Sequence, residues 1–172
     1  MKIAVLGFSG SGKSTLAKQL SEYYHIPLLY LDCVNFEENW ALRDREECGE
    51  ITAGFMQNES WVIDGNYNSD GFYQAERLEA ADKIIILQYN RFVCMKGAFK
   101  RNIEYKGKVR ESMADGCFER MDTWFFLWVI LNQYSRKRKK HFRNIKEKYP
   151  DKTVILKSRK QLQLYLEDIS NS

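Results

Sequence analysis

Five short apolar runs punctuate the chain: Lys2-Ile3-Ala4-Val5-Leu6, Leu28-Leu29-Tyr30-Leu31, Trp61-Val62-Ile63, Lys83-Ile84-Ile85-Ile86-Leu87 and Thr153-Val154-Ile155-Leu156. Each is nearly continuous rather than alternating, which is the mark of a strand buried on both faces of a parallel sheet. Segments of helical spacing separate them: Thr15 to Tyr24, Arg43 to Gln57, Arg91 to Lys100, and a closing amphipathic stretch from Ser158 to Ile169. Strands alternating with helices predict an α/β fold with five parallel strands and helices on both faces. From Cys117, Phe118, Met121, Trp124, Phe125, Trp128 and Leu131 recur at intervals of three and four. That spacing is read as core packing of a helix in preference to a base-stacking surface.

Polar landmarks stand where the strands end. The second run ends at Asp32, the third at Asp64-Gly65, and the fourth near Gln88-Tyr89. The carboxyl edge of an open α/β sheet is where ligands bind, so Asp32 and Asp64 belong to a common site. Residues 33–60 are long enough for a small flap over that site, and residues 102–120, polar and carrying Gly107 and Gly116, for a lid. With 172 residues, one domain spanning 1–172 is expected, able to bury roughly two thirds of its unfolded surface.

The first strand runs directly into Gly7-Phe8-Ser9-Gly10-Ser11-Gly12-Lys13-Ser14-Thr15, which spells G-x-x-x-x-G-K-[ST] and opens a helix. Strand, glycine loop and helix in that order define a phosphate-binding loop. The glycines allow the backbone close to an anion, and the helix adds its positive end. Ser9, Gly10, Ser11, Gly12, Lys13, Ser14 and Thr15 are therefore the expected nucleotide contacts. Lys13 would reach the β and γ phosphates, and the Ser14 hydroxyl would bind the Mg2+ that bridges them.

Charge and cysteines narrow the setting. The net charge is only +4, but residues 91–110 carry seven lysines and arginines against one acid, and 136–148 carry eight against one. Such runs are either solvated helix faces, preferred here for the second, or a surface for a polyanion. Cys33, Cys48, Cys94 and Cys117 show no metal-ligand spacing with His25 or His141 and are expected as reduced thiols of a cytoplasmic protein. The glycine loop follows the amino terminus too closely for a signal peptide, and the longest apolar run, Trp124 to Leu131, is too short to span a bilayer. A guanine-specific N-K-x-D is absent after the late strands.

The phosphate loop, Leu31-Asp32 followed by Trp40, Trp61-Val62-Ile63-Asp64-Gly65-Asn66-Tyr67, Ala81-Asp82-Lys83 with Arg91, and Lys100-Arg101 together resemble the topology modulation (FlaR-type) family, a group similar to adenylate kinases. The resemblance spans Met1 to about Leu166. It implies an adenylate-kinase-like, three-layer P-loop NTPase fold with ATP as donor, an acceptor flap and an arginine-bearing lid. In that layout the nucleotide base rests near Lys157-Ser158-Arg159. The chain departs from nucleoside monophosphate kinases after strand three, where D-G-F-P-R becomes Asp64-Gly65-Asn66-Tyr67-Asn68 and an acceptor-phosphate arginine is lost. L-D-x-P-R likewise becomes Leu87-Gln88-Tyr89-Asn90-Arg91.

Phosphoryl transfer asks chiefly for positioning and positive charge. Lys13, Arg101 and Arg110, with Arg91 and Arg120 as further candidates, would neutralise the triphosphate, and Asp64 would hold Mg2+ through water. Asp32 would orient and deprotonate a hydroxyl but repel an acceptor phosphate; the less favoured alternative is a helix or turn cap, and Asp64-Gly65 could be a simple turn. The expected activity is ATP-dependent transfer to a nucleoside, nucleotide or other hydroxylated metabolite. The alternative is a nucleotide-dependent, DNA-associated regulator using the basic runs.

Overall fold

The computed structural model describes residues 1–118 and 136–171. Arg120, the last residues of the expected lid, and the aromatic stripe beyond Phe118 lie outside the described residues. In chain order the elements are β1 (Lys2–Gly7), α1 (Lys13–Tyr24), β2 (Leu28–Tyr30), α2 (Leu31–Asn35), a 3-10 turn (Glu38–Trp40), α3 (Arg45–Met56), β3 (Trp61–Asp64), α4 (Gln74–Ala80), β4 (Lys83–Leu87), α5 (Arg91–Glu104), α6 (Arg136–Lys148), β5 (Thr153–Leu156) and α7 (Arg159–Ser170).

The five strands form one sheet in the order β2-β3-β1-β4-β5, and every pairing is parallel. Successive side chains of a strand face opposite ways. Yet Val62, Ile63, Ile84, Ile85 and Ile86 are all fully buried, so both faces of the sheet are covered. Burying each such side chain contributes about 1.5–3 kcal/mol, which is why the sheet is the stable frame of the molecule. Helix α1 packs over β1, β2 and β3, while α6 and α7 pack on β5. Phe8, just after β1, is fully buried against Phe142 of α6, with ring centroids 5.5 Å apart.

Boundaries near the site differ from the sequence expectation. The second apolar run does not continue as strand through Leu31: pairing with β3 ends at Tyr30 opposite Asp64, and Leu31 begins α2. Asp32 therefore sits in the first turn of a helix, where an acid is favoured by the helix dipole. Helix α5 runs four residues beyond Lys100, so residues 102–104 of the expected lid are helix; Asn102 there is 7% exposed, tied into the packed face. Of the residues from Cys117 onward that were expected to be helical, Cys117 lies in no helix, its N–H donating to the Ala114 carbonyl (3.2 Å), and Phe118 makes an isolated bridge to Val109.

His141 of α6 is half-buried, and its Nε2 has no hydrogen-bond partner among the described residues. Burial, and then the Arg138 charge, lower its pKa from the ordinary 6.5. Between that lowered value and 6.5 the unfolded chain binds the extra proton, so this group removes stability as pH falls below about 6.5. The variant His141→Gln is expected to flatten that loss, read as the shift in urea midpoint between about pH 7.5 and about pH 5.5.

Candidate active site

The turn between β1 and α1 is built to leave its amides open. Gly12, at the N-cap of α1, has φ 91°, a left-handed conformation natural to glycine, and no side chain caps the helix. Within the turn, the Ser11 N–H donates to the Phe8 carbonyl (3.1 Å) and the Phe8 N–H to the Leu87 carbonyl (3.2 Å). The amides of Gly10, Gly12, Lys13, Ser14 and Thr15 meet no protein acceptor among the described residues. A run of unpaired N–H groups at a helix start is an anion site, because orphan donors and dipole act together.

These amides open into a cleft of about 730 Å³. Lys13, Lys18, Lys100, Arg101, Arg110 and Arg159 all line it, so α1, α5, the segment after α5 and the start of α7 bring six cations to one hollow, where Lys18 is paired with Glu111. Arg91 is elsewhere: it lines a smaller recess with Phe8, Tyr89 and Lys139. Lys157 and Ser158 are beside the cleft rather than among its lining residues. The Ser158 hydroxyl caps α7 by accepting from the Gln161 N–H (3.2 Å), and the Lys157 N–H donates to Gln161 Oε1 (2.7 Å). The Ser158–Gln161 bond is one half of a capping box, while the Gln161 side chain reaches the N–H one residue before the cap. Ser9 also lies outside the lining residues.

Asp64 stands behind the loop at the end of β3 and is 4% exposed. Its Oδ2 accepts a 2.6 Å hydrogen bond from the Ser14 hydroxyl, while its Oδ1 is buried with no partner among the described residues. Burial raises its pKa; the Lys13 charge and the Ser14 bond pull the other way. A carboxylate with one unfilled oxygen, hinged to a serine hydroxyl beside the phosphate loop, fits Mg2+, which takes one or two protein oxygens, phosphate oxygens and water. Residues Ser14 and Asp64 are those that would hold it.

Asp32 is half-buried, and its Oδ1 accepts from the Tyr67 hydroxyl at 2.8 Å. Its charge reaches Asp64, whose pKa it helps to raise. Next to it, burial and then the Asp32 charge push the Cys33 thiol up to about 11, well away from thiolate chemistry. All four cysteines are free. The segment after α5 is stitched to the flap. Cys117 Sγ donates to the Glu37 carbonyl (3.2 Å) and accepts from the Trp40 N–H (3.3 Å), and the Trp40 indole donates to the Phe118 carbonyl (3.2 Å). Trp40 holds φ 67°, a strained value for so bulky a residue.

Sequence reasoning missed three contributors, Asn66, Tyr67 and Gly97, and placed a fourth, Arg159, only near the nucleotide base. Asn66 bonds Gly7 twice, Oδ1 accepting from the Gly7 N–H (3.0 Å) and Nδ2 donating to the Gly7 carbonyl (2.6 Å). Tyr67 holds Asp32, and Arg159 lines the cleft. Gly97 of α5 lies against the loop: a Cβ there would sit 2.2 Å from the Gly10 carbonyl oxygen. The signal for Gly97 was available, since a helix-interior glycine costs about 1 kcal/mol and implies close approach of another backbone.

The fold is matched by solved structures of two kinases. The gluconokinase of Sinorhizobium meliloti 1021 covers 92% of this chain and 82% of its own, at 19% identity and TM-score 0.53. The shikimate kinase of Bacteroides thetaiotaomicron covers 99% and 97%, at 15% identity and TM-score 0.54. The fold is thus that of the small P-loop kinases. Among curated proteins, the shikimate kinase of Flavobacterium johnsoniae is 38% identical over 63 residues, 36% of this chain. That match spans only 37% of the curated relative. No family model matches the chain. Among the described residues no helix is long and apolar enough to cross a membrane.

Proposed function

We propose that this chain is a Mg2+-dependent P-loop kinase that transfers the γ-phosphoryl group of ATP to a hydroxyl of a small molecule. The observation that carries it is the meeting of open loop amides with Lys13, Arg101 and Arg110 in one cleft. The amides and Lys13 bind the β and γ phosphates, and the arginines neutralise charge that grows on the transferring group. Bound at Ser14 and Asp64, Mg2+ supplies charge neutralisation at the phosphate oxygens. The Arg110 charge also reaches Asp64 and Cys33, which supports a role at the junction of donor and acceptor.

Asp32 receives the acceptor proton. The hydroxyl oxygen bonds to the γ phosphorus, the bond from that phosphorus to the β–γ bridging oxygen breaks, ADP leaves, and the proton passes to the carboxylate. A carboxylate at this place disfavours an acceptor phosphate, and the chain carries no arginine at Asn68 to offset it. Relatives named for shikimate and gluconate, both hydroxylated acids, support the same acceptor chemistry. The DNA-associated alternative, and membership of the topology modulation family, rest on the basic runs and the motif resemblance alone.

A panel of hydroxylated acids, nucleosides and nucleoside monophosphates, each with ATP and Mg2+, tests the proposal by coupled detection of ADP. At least one hydroxyl acceptor is expected to stimulate ADP release in the wild type and not in Lys13→Ala. If no acceptor does so while ATP alters DNA binding that weakens steeply with salt, the regulator is the correct function instead.

A further inference from the structure

Strand β3 lies between β1 and β2, so the residues that leave its carboxyl end emerge between the two strands whose tips carry donor and acceptor chemistry. On one side is Gly7, where the phosphate loop begins. On the other is Asp32, two residues past β2. Strands spaced two apart lie about 10 Å from each other, so neither tip touches the other directly.

Consecutive residues bridge that gap. Asn66 clamps the Gly7 peptide through both its donor and its acceptor (2.6 and 3.0 Å), and Tyr67 donates to Asp32 (2.8 Å). The bridge is itself braced. The Tyr67 ring stacks on the fully buried Phe72, centroids 4.4 Å apart and planes 27° apart. Arg77, also fully buried, donates from Nη2 to the Tyr67 carbonyl (2.8 Å) and from Nε to the Phe72 carbonyl (2.7 Å). Gln74 Nε2 donates to the Asn66 carbonyl (3.3 Å).

We propose that Asn66-Tyr67 is a molecular ruler: a pair of positioning residues that fixes the Asp32 carboxylate at a set distance from the phosphate loop. Asn66 sets the loop end and Tyr67 sets the carboxylate, leaving Asp32 Oδ2 for the acceptor hydroxyl. Burial and the neighbouring Asp32 raise the Tyr67 pKa, so its hydroxyl remains a donor across the physiological range. A fixed reach matters because misplacing a reacting group by about 1 Å costs roughly a hundredfold in rate.

The ruler deepens the phosphotransfer proposed above and rests on it, and its test separates the two. Tyr67→Phe keeps the ring and its stack and deletes only the hydroxyl. With an acceptor from the panel, kcat is expected to fall about a hundredfold while the Kd for Mg–ATP, by calorimetry, stays unchanged. In an Asp32→Asn background the same change should cost less than about twofold, because the group it positions is gone. Asn66→Ala, by contrast, should weaken Mg–ATP about tenfold. A Tyr67→Phe enzyme within twofold of wild type, or a loss that persists in Asp32→Asn, overturns the ruler. Should the wild type turn over no acceptor, phosphotransfer fails, and the ruler is decided by crystal structures with Mg2+ and a non-hydrolysable ATP analogue. An Asp32 side chain that turns away in Tyr67→Phe supports it; one that stays in place overturns it.

Discussion

Lys13→Ala is expected to lower acceptor-dependent ADP release by about a thousandfold or more, the scale of losing one preorganised cation or oxyanion donor from a phosphoryl-transfer site. Lys13 is half-buried at the first position of α1 and lines the cleft beside Arg101 and Arg110. Alanine is an excellent helix former, so the substitution leaves the frame of the molecule intact. Loss of rate with an unchanged circular dichroism spectrum and melting curve places the effect in the site. A variant that retains more than about a tenth of the activity would show that the amides and arginines suffice without the lysine.

Gly97→Ala is expected to weaken Mg–ATP binding by about tenfold to a hundredfold while lowering the melting temperature by no more than about 8 °C. The added Cβ would stand 2.2 Å from the Gly10 carbonyl oxygen, a backbone atom that cannot rotate aside. The contact is mutual: a Cβ on Gly10 would meet the Cys94 carbonyl oxygen at 2.1 Å. Overpacking of this kind costs about 1–3 kcal/mol, and replacing a helical glycine by alanine returns about 1 kcal/mol. The net global cost is about 0–2 kcal/mol, a melting shift of no more than about 8 °C, and the strain falls on the phosphate loop. Gly54→Ala in α3 is the control, since a Cβ there meets nothing within 4 Å. It should leave nucleotide affinity unchanged. Equal Mg–ATP affinity in Gly97→Ala and wild type, by calorimetry, would mean that α5 does not shape the loop.

The legible parts of the chain were those where local chemistry and fold agree. Continuous apolar runs such as Ile84-Ile85-Ile86 announce a doubly covered strand, and Gly10, Gly12, Lys13 and Ser14 announce an anion turn, because each needs only its neighbours to form. The helical start of Leu31-Asp32 was harder. Leu31 reads as strand by its apolarity, and only the register that ends at Tyr30 opposite Asp64 decides otherwise. Tyr67 and Asn66 were visible within W-V-I-D-G-N-Y, but their partners lie 35 and 59 residues away, and no periodicity encodes such pairs. Arg77 illustrates the same limit. It reads as one more surface charge on a short helix, yet it is fully buried, its bonds go to two carbonyls, and burial lowers its pKa to about 10. Lys157 and Ser158 were expected near the nucleotide base; the capping role of Ser158 follows from Ser158-Arg159-Lys160-Gln161, a pattern that is itself local.

The most direct measurement is an amide-resolved NMR titration of the wild-type chain with Mg–ATP. Open N–H groups that come to donate to phosphate oxygens should move downfield, led by Gly10, Gly12, Lys13, Ser14 and Thr15, with the Ser11 amide, already bonded to Phe8, moving least. Saturation with those shifts is the predicted result. No affinity for any magnesium nucleotide, or shifts confined to residues away from this turn, would contradict the account.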